Sequence, residues 1–472
     1  MAFARLGTRG PTAAVVLLLL ALCGLAGAGP AAAHGVSQSS DLELAGSFGG
    51  NELTFVLRQV ARVPGPVRVD VIAHDPVRAA ELKLSLTPQD GLPATDRPPE
   101  SIQLAEPGTQ SVTLHVDRTG PWELDVTAGQ ETARLPFRVL VPQPAPWENV
   151  AYPALLVAGV ALLAVFGSAV LGRRRIALTL VGAVAVALTA ALTAGLLSPD
   201  IPPARAQGSP DERILTNVDG TTANGRSFTE LALTTAPAAP VAGLDFALHL
   251  HLTDGASGTP VDDLAVHHGA LAHTVVTSAD CKYFRHLHPV PIAPGELLLH
   301  LTVPEPGRYL VQTELDRVNS GSQLLTATVD VGGTAPAPQA HPADAQDSAQ
   351  DAQVTLNPAQ PTAGVPTELT LHVGSAQAPA NDLQGWLGMA GHLIVRRPGS
   401  EFFGHVHETA SMAALNQPNA VLPDETVGQY GPLLHFVFAF PAPGRYQVWI
   451  QYERDFRIHT VALTVDVSGA AP

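Results

Sequence analysis

The chain has 472 residues, too many for one hydrophobic core; only 14% are charged, and it carries 42 Gly and 42 Pro. That profile favours several domains of short strands and frequent turns over long helices. The formal net charge of −16 argues against a nucleic-acid partner, because no basic patch exists to neutralise phosphates.

Residues 1–33 read as a secretory signal. Arg5 and Arg9 give the charged start, AAVVLLLLALCGLAGAG the apolar run, and AAAHG a small-residue cleavage site after Ala33. A lipoprotein anchor at Cys23 fits less well, because Leu22 stands where a small residue belongs before the modified cysteine. Removal of the leader leaves Cys281 as a single free thiol in an oxidising compartment. It also makes His34 the first residue, where amine and imidazole together chelate copper, with His74 or His115, both expected on outward strand faces, completing the site.

Residues 34–142 alternate in stretches such as NELTFVLRQV, PVRVDVIAH and SVTLHVD, broken every ten or so residues by Gly, Pro or Asp. This is the pattern of an antiparallel β-sandwich of immunoglobulin type. Two uncharged runs of bilayer-spanning length follow at 151–172 and 176–197, separated only by Arg173, Arg174 and Arg175. Because positive loops stay in the cytoplasm, the expected element is a transmembrane hairpin with its tip inside and both flanking regions extracytoplasmic. Trp147 and Tyr152 are placed as interfacial anchors.

A proline-rich linker leads to a second β region at 213–332. A low-complexity spacer at 333–352 is expected to be disordered, and a third β region spans 353–468. The last two regions are repeats. DLAVHHGALAHTVVTSADCKYFRHLHP from Asp263 aligns without a gap on DLQGWLGMAGHLIVRRPGSEFFGHVHE from Asp382. His273 falls on His392, His286 on His405, and His288 on His407; PEPGRY then matches PAPGRY, and both copies end in TVDV. The fold class is therefore all-β: three immunoglobulin-like or cupredoxin-like sandwiches plus a two-helix hairpin.

In a strand, residues i and i+2 share a face, so His405 and His407 project together, as do His286 and His288. GHLIVRR and FFGHVH form a hairpin that brings His392 to the pair. His459, on a strand face with Val461, Leu463 and Val465, is a fourth candidate; the second region has Gln323 or Ser322 at that place. Converging neutral imidazoles suit copper or zinc, and Cys281 is a candidate soft ligand beside His286. A blue-copper electron-transfer centre is disfavoured, because no cysteine follows either PGRY segment. The bland alternative is a hydrogen-bonded histidine cluster packed between sheets.

AHG followed by a β-sandwich resembles the CopC-type and YtkA-like extracytoplasmic domains of bacterial copper-handling proteins. The final region, with GHLIV, FFGHVHE, HFVFAFPAPGRYQVWIQY and HTVALTV, resembles a signature of uncharacterised secreted proteins linked to heavy-metal handling. That resemblance implies metal ligation by His392, His405, His407 and His459. The expected function is a membrane-anchored, extracytoplasmic metal-binding protein of the bacterial inner membrane. It sequesters or delivers copper, with zinc as the alternative, and an extracytoplasmic protein partner is compatible with delivery. The competing reading is a metal-free, membrane-tethered scaffold whose immunoglobulin-like modules bind proteins. No G-x-S-x-G, H-E-x-x-H, P-loop or paired-carboxylate motif occurs, so no enzyme activity is expected.

Overall fold

A computed structural model describes residues 41–93, 95, 97–141, 143–198, 207, 228–318, 321–333, 351–415 and 422–469. Residues 1–33, read above as a leader, His34 and most of the 333–352 stretch lie outside these residues. The described residues divide into two compact units, one holding 144–198 and the other 41–143 with those from 207 to 469.

The first unit contains helices α1 (Glu148–Val170) and α2 (Arg174–Leu196), each 23 residues and apolar enough over 18 of them to cross a membrane. At 1.5 Å per residue either helix is about 34 Å long, enough for a hydrocarbon layer of about 30 Å. The residues buried in the two helices are small or β-branched: Ala151, Ala158 and Ala161 on α1, and Val184, Ala187 and Ala191 on α2. Small side chains let two helix backbones approach closely. Leu156, Leu163, Val170 and Val186 instead point outward and are at least 70% exposed, an apolar surface suited to lipid.

The second unit is all-β. Its first region has β1 (Leu42–Phe48), β2 (Asn51–Leu57), β3 (Gly65–Ala73), β4 (Ala80–Pro88), β5 (Glu100–Leu104), β6 (Gly108–Val116), β7 (Gly120–Ala128) and β8 (Glu131–Val139). They form two antiparallel sheets, β1-β2-β3-β6 and β5-β4-β7-β8. Alternation along β6 and β7 buries Val112, Leu114, Trp122 and Leu124 between the sheets, as a two-sheet sandwich requires.

The second region has β9 (Thr229–Ala236), β10 (Phe246–Asp254), β11 (Leu264–Ala265), β12 (Ala272–Ser278), β13 (Phe284–Leu287), β14 (Val290–Ala293), β15 (Glu296–Leu301), β16 (Gly307–Arg317) and β17 (Gly321–Val331). The third has β18 (Ala352–Asn357), β19 (Pro366–Val373), β20 (His392–Arg396), β21 (Phe403–His407), the short helix α3 (Thr409–Leu415), β22 (Leu433–Ala439), β23 (Gly444–Arg454) and β24 (Arg457–Val467). In the second region β13, β12, β16 and β17 are neighbours in that order; in the third, β21, β20, β23 and β24 repeat it. The internal sequence repeat is thus a repeated sheet.

Both faces of that sheet are covered. Every residue of β20 is buried, and all of β12 except its last. Leu393 and Val395 enter the core of their own sandwich, whereas Ile394 turns the other way and packs with Val275, Cys281, Phe284 and Trp449. The two repeats therefore meet through equivalent sheet faces, and this contact carries the histidines. The first region closes a third side: Ala45 N donates to Gly269 O and Ser47 N to His288 O, each at 2.7 Å.

Candidate metal centre

Each repeat builds its half of the site from one local device. Two consecutive positive-φ residues make a tight turn just before the first histidine: His268 (φ 46°) with Gly269 (φ 73°), and Leu387 (φ 56°) with Gly388 (φ 73°). This is the mirror-image turn that glycine permits at its second position. The carbonyl at the start of each turn then meets the histidine that follows. His273 Nε2 donates to His267 O and His392 Nε2 to Trp386 O, both at 3.0 Å. The turns also abut each other, for a Cβ added to Gly269 would stand 3.1 Å from Leu387 Cα.

Strand pairing assembles the triads. His392 lies opposite His407, and Ile394 opposite His405, so all three histidines project from one face. His273 Nδ1 lies 3.3 Å from His286 Nε2, and His392 Nδ1 lies 3.3 Å from His405 Nε2. In each repeat, one ring nitrogen from each of the three histidines lies within 4.8 Å of the other two. The third members, His288 and His407, each present a buried Nε2 that makes no hydrogen bond among the described residues. His268 extends the group, its ring centroid 4.1 Å from that of His407.

The outer nitrogens are held from across the contact. His405 Nδ1 donates to Glu314 Oε2 at 2.8 Å, and His286 Nδ1 to Gln451 Oε1 at 2.9 Å. Glu314 belongs to the strand beside His273, and Gln451 to the strand beside His392, so each repeat orients a histidine of the other. Glu52 of the first β region accepts from His288 Nδ1. Backs bonded to carbonyl or carboxylate oxygens, with fronts converging, are how metal-binding imidazoles are positioned.

The proton inventory sharpens this. Burial pushes His273, His286 and His392 well below the ordinary imidazole range, reinforced by the neighbouring histidines. Burial likewise brings His407 down to about 2 and His268 to about 4. A neutral His273 that donates from Nε2 has its lone pair on Nδ1. Gln451 Nε2 donates to Thr460 Oγ1 at 3.1 Å, which leaves Oε1 for the N–H of His286 and puts that ring's lone pair on Nε2. The 3.3 Å contact between His273 and His286 then sets lone pair against lone pair, repulsive unless a cation is shared. Nitrogens about 2.0–2.1 Å from a tetrahedral ion stand roughly 3.3–3.4 Å apart. The facing pair in each triad has the spacing of two ligands on a first-row metal ion.

Not every expected ligand joins. His459 pairs with Tyr452 while Thr460 pairs with Gln451. Strand parity therefore turns His459 to the face opposite Gln451 and the triad, where it stacks on Tyr452 at 5.0 Å. Its counterpart Gln323 accepts from Thr229 N at 2.7 Å. Cys281 sits at the β12–β13 turn, buried in the apolar cluster of Val275, Phe284, Ile394 and Trp449 and outside both triads. Burial raises its thiol above the ordinary range, which suits an inert sulfur. Cys281→Ser is expected to leave bound metal unchanged and to lower stability by about 1–3 kcal/mol, the cost of burying an unpaired hydroxyl. Elemental analysis with urea unfolding checks both, and loss of metal would make the sulfur a ligand.

His74, expected on an outward face, is instead 1% exposed. Its Nδ1 bonds Glu453 Oε1 at 2.8 Å and its Nε2 lies 3.0 Å from Thr54 Oγ1, joining the first β region to the third. Burial alone would depress this imidazole, but the Glu453 charge prevails and raises it to about 9. Burial also raises the nearby carboxyls of Glu43 and Glu425. A group raised on folding stabilises fully below its unfolded pKa, about 6.5 for histidine, and that contribution is lost as pH climbs through the folded value. The two raised carboxyls act in the same direction. The melting temperature is therefore expected to fall between pH 6.5 and 9.5, by less in His74→Gln. A wild-type melting temperature that is flat or rising over that window would contradict the linkage.

Compared with known proteins, the chain matches the family described as a domain of unknown function (DUF8832) over residues 226–333 and 347–469, the two stretches that hold the repeats. No curated protein sequence matches it. Among solved structures it is similar to a Yersinia pseudotuberculosis adhesin, InvE, at 13% identity, covering 51% of this chain and 63% of that one with a TM-score of 0.16. Invasin, a bacterial integrin-binding protein, matches at 11% identity over 88% of this chain and 60% of its own, TM-score 0.16. Red sea bream transglutaminase matches at 15% identity over 51% and 31%, TM-score 0.14. The chain spans less than two thirds of each of these structures.

Proposed function

We propose that this is a membrane-associated metal-binding protein that holds copper, with zinc as the alternative, in the two histidine triads between its repeats, and serves to sequester or deliver it. The observation that carries the reading is the pair of facing ring nitrogens at 3.3 Å in each triad, their outer nitrogens already committed to oxygen acceptors. Three imidazoles suit either metal, and affinity among divalent first-row ions peaks at copper. The leader-like residues 1–33 and the arginine-tipped apolar hairpin support placing the β unit outside the inner membrane, with the metal taken up there. The proposal assigns no catalysis.

The test is metal retention. The full chain in detergent is incubated with copper or zinc, stripped of loosely held ions by a weak chelator, and its metal is measured. The wild-type chain is expected to retain metal and His286→Ala/His405→Ala to retain none. Equal retention by the two chains, or none by either, would overturn the reading.

A further inference from the structure

We propose that the two triads hold two metal ions as one coupled dinuclear centre shared by the repeats. The proposal rests on the metal-binding reading above and adds a stoichiometry and an electronic property to it. Its first support is spacing. Within the triads, ring centroids lie 5.5 Å apart for His273 and His286 and 5.6 Å for His392 and His405. Between the triads the separations are the same: His273 to His405 is 5.6 Å, His286 to His405 is 5.4 Å and His286 to His392 is 6.0 Å. The two sets touch directly through these pairs, with the Trp386 indole beside them, 5.5 Å from His286 and 5.1 Å from His392. Ions in established two-metal sites stand about 3.5–4 Å apart, and triads in ring contact allow a separation of that order.

Charge is the second support. An ion among neutral imidazoles in a water-excluded interior needs a compensating anion nearby. Each triad has one carboxylate bonded to the back of a ligand: Glu52 on His288 and Glu314 on His405. That places one carboxylate beside each proposed ion, offsetting part of its charge. The third support is reciprocity, because Glu314 and Gln451 each orient a histidine of the other repeat. Neither triad has its full set of hydrogen-bond partners without the opposite sheet.

The test uses the full chain in detergent, loaded with copper during expression, oxidised with ferricyanide, and measured by elemental analysis and EPR. A coupled centre gives two coppers per chain, with integrated Cu(II) intensity well below two spins or with a half-field transition. His288→Asn is expected to halve the copper and restore one spin per remaining ion. Two coppers that integrate as two isolated spins would overturn the proposal while leaving metal binding intact, as would one copper per wild-type chain. A chain that holds no copper would overturn this proposal together with copper as the metal held. The wild-type spectrum decides whether or not the variant folds.

Discussion

Replacing His392 with alanine is expected to lower the chain's affinity for copper more than a hundredfold. Loss of an outer hydrogen-bond partner typically costs ten- to a hundredfold in metal affinity, and His392 is proposed as a ligand itself. It is fully buried at the centre of its triad, with Nδ1 facing His405 and Nε2 anchored on Trp386 O. Alanine would leave that carbonyl only its bond from Met389 N and would take away the nitrogen that faces His405 Nε2. Glu314→Gln provides the graded comparison: the amide keeps a hydrogen bond to His405 but removes the charge, so a loss within the ten- to hundredfold range is expected. Competition titration with a chelator of known affinity reads both variants. Equal affinity in wild type and His392→Ala would remove His392 from the site.

The second large effect concerns the contact that builds the site. Trp449→Ala is expected to lower stability by about 3–5 kcal/mol and to weaken metal retention as well. Trp449 is fully buried and stacks on Phe284 of the other repeat, with ring centroids 4.4 Å apart and planes 13° from parallel. Its Nε1 makes no hydrogen bond among the described residues, so the loss comes from apolar area and the cavity left behind. That cavity would open beside Ile394 and Val275, two residues along their strands from His392 and His273 and so on the same sheet face. Urea unfolding of the full chain gives the stability change. A loss below 1 kcal/mol with metal unchanged would show that the repeats do not dock through this face.

The sequence made the histidines visible and hid their assembly. Gap-free alignment of the two repeats put His273, His286 and His288 on His392, His405 and His407, and the paired registers of β20 and β21 bear out the expected hairpin. His459 was misplaced for a physical reason. Its strand face with Val465 enters the sandwich core, whereas the triad occupies the opposite face, which sequence alone marks as solvent or interface without distinction. The clue lay in β12 and β20, buried on both faces, a pattern that requires a second covering layer. Glu314 could have been found from the repeat, since it and Gln451 stand equally far beyond the two PGRY motifs and both are polar. Glu52 had no such signal. Its contact with His288 spans 236 residues and exists only because the first β region packs there.

X-ray absorption of the metal-loaded full chain tests the central claim most directly, because it reports the ligands themselves. The expected first shell is imidazole nitrogens at about 2.0–2.1 Å, with ring multiple scattering and no sulfur. A sulfur shell at about 2.3 Å, or a shell of oxygens without imidazole scattering, would contradict it.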